Sequence, residues 1–386
     1  MQFQIERKSL LAGLQQVLGV VEKRSTMPML SHILITANSP ENSIETGISI
    51  FATDLEISIS DDYPAHVIVP GQMTVPGKKL LEITRELPDG MVKMSLQENN
   101  WISVEAGKAY FKITGLPSDE FPTPSFLDEE GSARISISAE LFSRLIRKTI
   151  FATGENDPRY ILNGLLLETH KVTETKQMIR LVATDGNRLA LAEEAVKDHQ
   201  GLSIKEQVIV PKKALLEIKR LLDETAITDP EQETDIRFGK NLLTLKSGTA
   251  RFSSRLLNGN YPNYNLVIPK ENNNHVSANK ELLLGALTRV SILSDEKTSL
   301  VKTTVNPGQI EFRAKNHLVG EASETVPTSF EGEPFTTFFS ARYLRDILLA
   351  TDDSEIVFEF KDTESACLIR EKSGRYLSLL MPVDEK

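Results

Sequence analysis

The chain repeats its own sequence motifs at an interval as long as a whole domain, and this repetition restricts the fold more than any other feature. The stretch FATDLEISIS at 51–60 returns as LVATDGNRLA at 181–190, and VPGKKLLEITREL at 75–87 returns as VPKKALLEIKRLL at 210–222. A fainter third copy ends in YLSLLMP at 376–382. Three copies in 386 residues give about 129 residues each, an ordinary domain size. Stacked repeats have shorter periods of roughly 20–50 residues, so the sequence predicts three similar domains in a row.

Each copy combines amphipathic helices with short alternating strands, which predicts an α+β fold. An opening helix has apolar residues at three- and four-residue steps, and a second helix follows at roughly 76–87, 211–222 and 341–350. Pro76 and Pro211 are predicted to lie in the first helical turn, where a missing N–H has no cost. Runs such as ISVEA and YFKIT alternate as strands do.

The boundaries between copies are predicted from loop composition. Proline-rich or acidic segments at 121–131 and 261–274 are typical of linkers. The predicted domains are therefore 1–128, 129–270 and 271–386.

The composition indicates a soluble protein of a reducing compartment. A single cysteine, Cys367, cannot form an internal disulfide, so we expect a cytoplasmic location. The first ten residues carry charges where a signal peptide would need an apolar core, and no apolar run approaches the roughly 18 residues of a membrane span.

Positive charge is concentrated on helices although the chain is acidic overall. The formal net charge is −10, which by itself disfavours nucleic acid. Arg144, Arg147 and Lys148 nevertheless share one helical face, and the second helices of two copies begin with the same cationic pattern, VPGKK and VPKK. For one helix such a face is usually only its solvated side, but its recurrence favours a focused positive field.

No motif indicates an active site. The phosphate-binding glycine patterns and the G-x-S-x-G elbow are absent, and the six histidines lack metal-ligand spacing. Asp54 and Asp185 follow strands at equivalent positions of two copies, so each is predicted to cap its own turn. The alternative is that the two carboxylates hold a metal in an enzyme. We favour the capping role and predict no catalytic residue, cofactor or metal.

Stretches in all three copies carry a family resemblance, and they occur in order over essentially the whole chain. They are TMPMLSHILI (26–35), ATDLE (52–56), VPGKKLLEITRELPDG (75–90), LPSDEFP (116–122), RYILNGLLLE (159–168), VATDGNRLA (182–190), VIVPKKALLEIKRLL (208–222), YPNY (261–264), ILSDEK (292–297) and LLMP (379–382). Together they resemble the bacterial DNA polymerase III beta subunit family, the sliding clamps.

The resemblance implies a non-catalytic processivity factor that encircles duplex DNA. Each of three domains would carry two helices backed by antiparallel sheets, and two chains would join head to tail into a ring with helices lining the pore. Sequence-independent phosphate contacts would let the ring slide along the duplex. The residues expected to face DNA are Arg24, Lys78, Lys79, Arg147, Lys148, Arg159, Tyr160, Lys212 and Lys213.

The resemblance also implies two protein interfaces. One is a subunit interface, to which Phe111, Ile113, Ile292 and Leu293 correspond. The other is a pocket that receives short peptides from polymerase III, the clamp loader, other polymerases and repair proteins. Its wall would comprise Leu162, Thr184, Gly186, Asn187, Arg188, Leu189, Pro262, Val267, Leu379, Leu380, Met381 and Pro382.

The chain departs from the family pattern around this pocket. Relatives often carry His at the position of Asn187 and Arg at that of Leu266, and many end in Met-Pro-Met-Arg-Leu. This chain ends Met381-Pro382-Val383-Asp384-Glu385-Lys386, which predicts a less basic rim and repulsion of acidic peptides. A clamp paralogue dedicated to repair or drug tolerance is an alternative within the same family.

Overall fold

The computed structural model of the chain describes residues 1–21, 27–38, 47–123, 126, 133–173, 177–196, 198–200 and 207–384. By their internal contacts the residues form two compact units. One contains residues 1–140, 197–202 and 216–256, and the other contains 141–196, 203–215 and 257–386. No helix among the described residues is both long and apolar enough to cross a membrane.

The first copy of the repeat contains two helices and nine strands among its described residues. They are α1 (Arg7–Val17), α2 (Gly77–Glu86), β1 (Gln2–Glu6), β2 (His32–Ala37), β3 (Gly47–Thr53), β4 (Ile57–Pro64), β5 (His66–Val69), β6 (Gly71–Pro76), β7 (Met91–Leu96), β8 (Trp101–Ala106) and β9 (Ala109–Thr114).

The second copy follows the same order of elements. Its members are α3 (Ala139–Thr149), α4 (Lys212–Thr228), β10 (Ala133–Ser138), β11 (Gly164–Lys171), β12 (Gln177–Thr184), β13 (Arg188–Ala195), β14 (Asp198–Gln200), β15 (Val208–Pro211), β16 (Glu233–Phe238), β17 (Leu242–Ser247) and β18 (Ala250–Arg255).

The third copy confirms the fainter repeat in the sequence. Its members are α5 (Lys280–Val290), α6 (Ala341–Ala350), β19 (Asn274–Asn279), β20 (Leu300–Asn306), β21 (Gln309–Asn316), β22 (Gly320–Pro327), β23 (Phe335–Ser340), β24 (Glu355–Phe360), β25 (Cys367–Arg370) and β26 (Tyr376–Leu380).

Two of the helix starts differ from the sequence prediction by one residue. Pro76 ends β6, where it pairs with His32, and Pro211 ends β15, where it pairs with Gly164. Each helix begins at the following residue. The ψ angle of Pro76 is 104°, so its backbone continues the strand, and the prediction of a place in the first helical turn was wrong. Proline at the end of a strand gives up only one ladder hydrogen bond.

The strands form antiparallel sheets that run from one copy of the repeat into the next. A nine-stranded sheet has the order β14-β10-β16-β17-β18-β4-β3-β2-β6, and an eight-stranded sheet has the order β15-β11-β12-β13-β26-β25-β24-β19. The junctions are β18 with β4 and β26 with β13. Both junctions therefore join the last strand of one copy to the fourth strand of the copy before it.

Two edge strands occupy the repeat positions that form the junctions, but neither has a junction partner in the described chain. A five-stranded sheet has the order β5-β1-β7-β8-β9, and a four-stranded sheet has the order β22-β21-β20-β23. In the repeat, β9 is equivalent to β18 and β26, whereas β22 is equivalent to β4 and β13. Among the described residues, β9 is therefore a last strand without a fourth-strand partner, and β22 is a fourth strand without a last-strand partner.

Candidate functional site

A cleft of about 170 Å³ opens beside the turn between β12 and β13. Its lining is mostly apolar with a polar rim, which is the composition of sites that bind a peptide anchor. The lining residues are Arg159, Leu162, Thr184, Gly186, Arg188, Leu189, Pro262, Asn263, Tyr264, Val267, Leu379 and Met381. We call this cleft the slot.

The floor of the slot is a buried cluster contributed by several strands. Leu162, Leu189 and Leu379 are each at most 3% exposed and belong to one apolar cluster. Leu189 on β13 and Leu379 on β26 are direct cross-strand partners, so the junction of the two strands forms part of the floor. The floor is therefore preformed, and a ligand does not have to order it.

The segment 261–274 was predicted to be a linker, but its first part belongs to the wall of the slot. Tyr261 and Tyr264 are buried in the same apolar cluster. The hydroxyl oxygen of Tyr261 accepts a hydrogen bond from the backbone N–H of Thr184 at 3.0 Å. The Tyr264 hydroxyl donates to Glu168 at 2.8 Å and accepts from Arg180 at 3.1 Å. These bonds fix the wall in place.

The polar turn at one side of the slot is organised by Asp185, as predicted. Its Oδ1 atom accepts from the backbone N–H groups of Asn187 at 2.9 Å and Arg188 at 3.1 Å. Asp54 does the same in the first copy, where Oδ1 accepts from the N–H groups of Glu56 and Ile57. The predicted capping role of both carboxylates is confirmed. Among the described residues, no group of three or more His, Cys, Asp or Glu could hold a metal ion.

Arg188 lines the slot as a largely buried cation that is paired with two carboxylates. It is 6% exposed, and its guanidinium pairs with Asp185 at 3.0 Å and with Asp346 of α6 at 2.6 Å. The guanidinium also lies 4.2 Å from the ring centroid of Tyr343. Arg188 thus lines the slot, where the sequence analysis expected it, but its partners neutralise its charge and cover most of its side chain.

Three residues expected to form the pocket wall lie elsewhere. Strand alternation directs Leu379 into the slot and Leu380, which is 1% exposed, into a separate core that includes Val276 and Cys367. Pro382 lines a different cleft together with Thr336 and Glu364. Asn187 is exposed and contributes its backbone carbonyl, which accepts from the Met381 N–H at 2.9 Å.

Three lining residues were missed as pocket residues by the sequence prediction, namely Arg159, Asn263 and Tyr264. Arg159 was expected to face DNA together with Tyr160. Its guanidinium binds Asp157 at 2.8 Å and the Asp185 carbonyl at 3.2 Å, which places it beside the slot. Asn263 caps the short turn at Tyr264–Leu266 through its side chain. An Asn immediately before such a turn is the local signal that could have indicated the wall.

The cations that were expected to face DNA differ widely in exposure and in ion pairing. Arg24 lies outside the described residues. Lys79 is exposed and pairs with Glu82 of its own helix. Lys212 is half-buried and Lys213 exposed, both at the start of α4. Lys78 is half-buried, and its ammonium group is enclosed without a hydrogen-bond partner among the described residues. Such an unpaired cation favours an incoming anion.

Lys148 belongs to a buried ion cluster. It is 6% exposed, and its ammonium group contacts Glu371 at 2.6 Å and Asp352 at 2.6 Å. Arg147 pairs with Asp352 at 2.7 Å. The two cations and two carboxylates therefore balance. Lys148 holds the fold together and is not offered to a phosphate, contrary to the expectation for this residue.

Replacing Lys148 by methionine is expected to destabilise the protein by about 3–5 kcal/mol, because Glu371 would be left as an unpaired buried charge. The measurement is the free energy of unfolding from denaturant titration. Lys79→Met is the matched control, since it removes an exposed pair worth about 0–1 kcal/mol. Equal stability of the two variants would contradict the assignment of the cluster.

The same ion cluster makes the free energy of unfolding depend on pH. Burial opposes ionisation of Asp352, but hydrogen bonds from Lys148 and Arg147 outweigh it and hold the pKa of Asp352 below its ordinary value of 3.8. A lowered carboxylate pKa contributes stability that is present above the unfolded pKa and is lost as pH falls through the folded one. The contribution of Asp352 is therefore complete above that ordinary value and disappears on acidification below it.

The two open sheet edges expose large apolar side chains. On and beside β9, Tyr110 is 58%, Phe111 36% and Trp101 38% exposed, and Ile113 is half-buried. At the other edge Ile292 is 76%, Leu318 96% and Val319 68% exposed. Leu293 is half-buried and lies close to Gly320 in the β21–β22 hairpin. Such concentrations of apolar surface mark protein contacts.

Comparisons with known proteins identify one family over nearly the whole chain. The N-terminal, central and C-terminal domain models of the DNA polymerase III beta subunit match residues 1–125, 136–263 and 265–384. The beta sliding clamp of Caulobacter vibrioides is 37% identical over 372 residues, which cover 96% of this chain and 95% of the relative. That of Pseudomonas putida is 34% identical over 376 residues, covering 96% of each.

A solved structure agrees with these sequence relatives. The DnaN sliding clamp from Bartonella birtlesii, solved bound to griselimycin, superposes with a TM-score of 0.90 at 31% identity, with all of both chains covered.

Proposed function

The chain belongs to the DNA polymerase III beta subunit family, the beta sliding clamps, and from this premise we infer that it is a processivity factor. It encircles duplex DNA and tethers a polymerase to it without carrying out chemistry itself. The fold consists of three clamp domains of helices and antiparallel sheets. We assign the domains to residues 1–128, 129–270 and 271–386, and the protein to the cytoplasm as a subunit of the polymerase III holoenzyme.

The observation that carries this proposal is the pair of open edges, β9 and β22. Every other copy of these two repeat positions is joined to its counterpart, as β18 with β4 and β26 with β13. The junction of β9 with β22 of a second chain would use the same geometry a third time. Two such contacts related by a two-fold axis close a head-to-tail ring of two chains.

The charges of the two edges are complementary, which supports this pairing. Lys108 and Lys112 are exposed at β9, whereas Glu321 and Glu324 lie on β22. Glu324 is already held by Arg289, with contacts of 2.8 and 2.5 Å. Opposite charges across an interface orient the partners and disfavour the wrong pairing of two identical edges.

Within the ring, we propose that the starts of the second helices attract the DNA backbone. Lys78, Lys79, Lys212 and Lys213 hold equivalent places at the beginnings of α2 and α4. Their positive charge stands against a chain whose net charge is −10. An acidic exterior repels DNA, so the cationic helix starts would be the favourable place for it.

The expected DNA behaviour is retention by topology. A ring loaded on circular DNA by a clamp loader should persist at moderate salt, and cutting the circle should release it. Binding to open linear DNA should be weak and should fall steeply with salt, because phosphate contacts depend on counterion release. The measurement is co-elution of labelled protein with nicked circles before and after linearisation. Protein that stays on the linear product is held by direct binding instead.

We propose that the slot receives the short peptides through which polymerases, the clamp loader and repair proteins hold the ring. Its preformed apolar floor fits a leucine or phenylalanine anchor, and buried apolar area supplies most of the affinity of such contacts. Such binding requires only an amphipathic peptide with apolar anchors.

A further inference from the structure

A second cavity of about 930 Å³ lies over one face of the four-stranded sheet. Lys302 on β20 and Arg313 on β21 are direct cross-strand partners, and Lys315 lies two residues further along β21. All three side chains are exposed, and none of them forms an ion pair or a hydrogen bond with another described residue. We call this cavity the basic groove.

The arrangement of the cations is unfavourable unless an anion joins it. Like charges directly opposite each other in a sheet are destabilising, and Lys302 and Arg313 have only Phe338 and Ser323 beside them in their row. Of the carboxylates that line the groove, Asp295 is already used by its own loop, where it accepts from the N–H groups of Lys297 and Thr298 at 3.0 Å. Glu321 faces Lys315 at the β22 edge.

The last described residues of the chain run from the slot to the groove. Met381 lines the slot, whereas Val383 and Asp384 line the groove. The segment is held at both places, since the Met381 N–H donates to the Asn187 carbonyl and the Val383 N–H donates to the Phe338 carbonyl, each at 2.9 Å. Three residue steps span at most about 11 Å. A peptide anchored in the slot therefore needs only a few more residues to reach the cations.

We propose that the basic groove binds an acidic segment flanking the apolar anchors of a partner peptide. This inference rests on the proposed peptide function of the slot. It reverses the expectation that Asp384 makes the rim repel acidic peptides. Asp384 lines the same groove as Lys302, Arg313 and Lys315, so one carboxylate already stands on the wall that carries these cations. The groove would thus discriminate between partners that share the same anchors and differ in flanking charge.

The test is fluorescence anisotropy with three labelled peptides that share the same apolar anchors. One has neutral flanks, one carries three glutamates before the anchors, and one carries them after. Because the groove lies to one side of the slot, a single acidic peptide should bind more tightly than the neutral one. The gain should be roughly three- to tenfold at low salt, as for a few exposed ion pairs, and should shrink as salt is added.

The variant is the triple substitution Lys302→Gln, Arg313→Gln and Lys315→Gln. It should abolish the gain and leave the neutral peptide unaffected. The matched control, Lys171→Gln, Lys240→Gln and Lys361→Gln, removes the same charge from exposed positions outside both clefts and should keep the gain. If the triple variant misfolds and loses neutral-peptide binding, the gain of the acidic peptide is measured instead in the single variants Lys302→Gln and Lys315→Gln.

Other outcomes separate the possible failures. A neutral peptide that does not bind the wild type contradicts the slot itself. Normal anchor binding with no gain from either acidic flank overturns the groove proposal alone. A gain that appears only in a chain ending at Pro382 shows that the chain's own acidic terminus occupies the groove, which also overturns a role in partner binding.

Discussion

Changing both Ile292 and Leu293 to aspartate is expected to convert an 86 kDa particle into one of 43.0 kDa, the mass of a single chain. The physical reason is that the contact between β9 and β22 of two chains would bury these side chains with Leu318 and Val319. An interface core tolerates an unpaired charge badly, since a buried charge left without a partner costs about 3–5 kcal/mol. Two identical contacts in the ring double the effect. Light scattering at micromolar concentration measures the mass directly.

The matched control is Ile227→Asp. Ile227 is 84% exposed and Ile292 is 76% exposed, so an aspartate at either position stands on a similarly open surface of the single chain. The control should keep the wild-type mass. Circular dichroism should be unchanged in both variants, because neither removes a buried core residue. A wild-type chain that is monomeric at micromolar concentration, or a trimer, contradicts ring closure through the two edges.

Changing Met381 to aspartate is expected to weaken the binding of an anchor peptide by roughly 30- to 150-fold, equivalent to about 2–3 kcal/mol for one large apolar contact. Met381 forms the open side of the slot, where it would cover the anchor. An aspartate there removes the apolar contact and leaves a carboxylate that the bound peptide would desolvate. Anisotropy with the neutral-flank peptide is the measurement.

Val383→Asp is the control for this prediction. Met381 and Val383 are 36% and 39% exposed and lie two residues apart, but only Met381 lines the slot. The control should bind the neutral peptide within about twofold of the wild type, as surface charges of this kind usually allow. Equal losses in both variants would mean that the terminal segment acts as a whole and that the slot is not the anchor site.

The local parts of the architecture could be predicted from the sequence because their causes are local. The capping carboxylates Asp54 and Asp185 bond to N–H groups two and three residues ahead, so a strand followed by a polar turn indicates them. Helix α6 spans the predicted residues 341–350, since its apolar period is strong. The repeat also indicated which elements occur in the third copy.

The remaining features depend on partners that are distant in sequence. Lys148 meets Glu371 across 223 positions, and Arg188 meets Asp346 across 158 positions. No local pattern distinguishes such a buried cation from one on a solvated helix face. Leu379 and Leu380 are both apolar and both buried, and only the pairing of β26 with β13 decides which of them enters the slot. Strand register is a tertiary property.

The last strand of one copy recurrently joins the fourth strand of the preceding copy. This junction determines how many contacts of a ring lie within a chain and how many lie between chains. A ring of six domains contains six equivalent junctions, and a chain with three copies makes two of them internally. Two chains supply four covalently tethered junctions and leave two that can separate while both polypeptides stay folded. Opening one of these admits DNA, and the other keeps the halves together. A polypeptide with only two copies would need three subunits to close the same ring, and that ring would have three junctions that can separate.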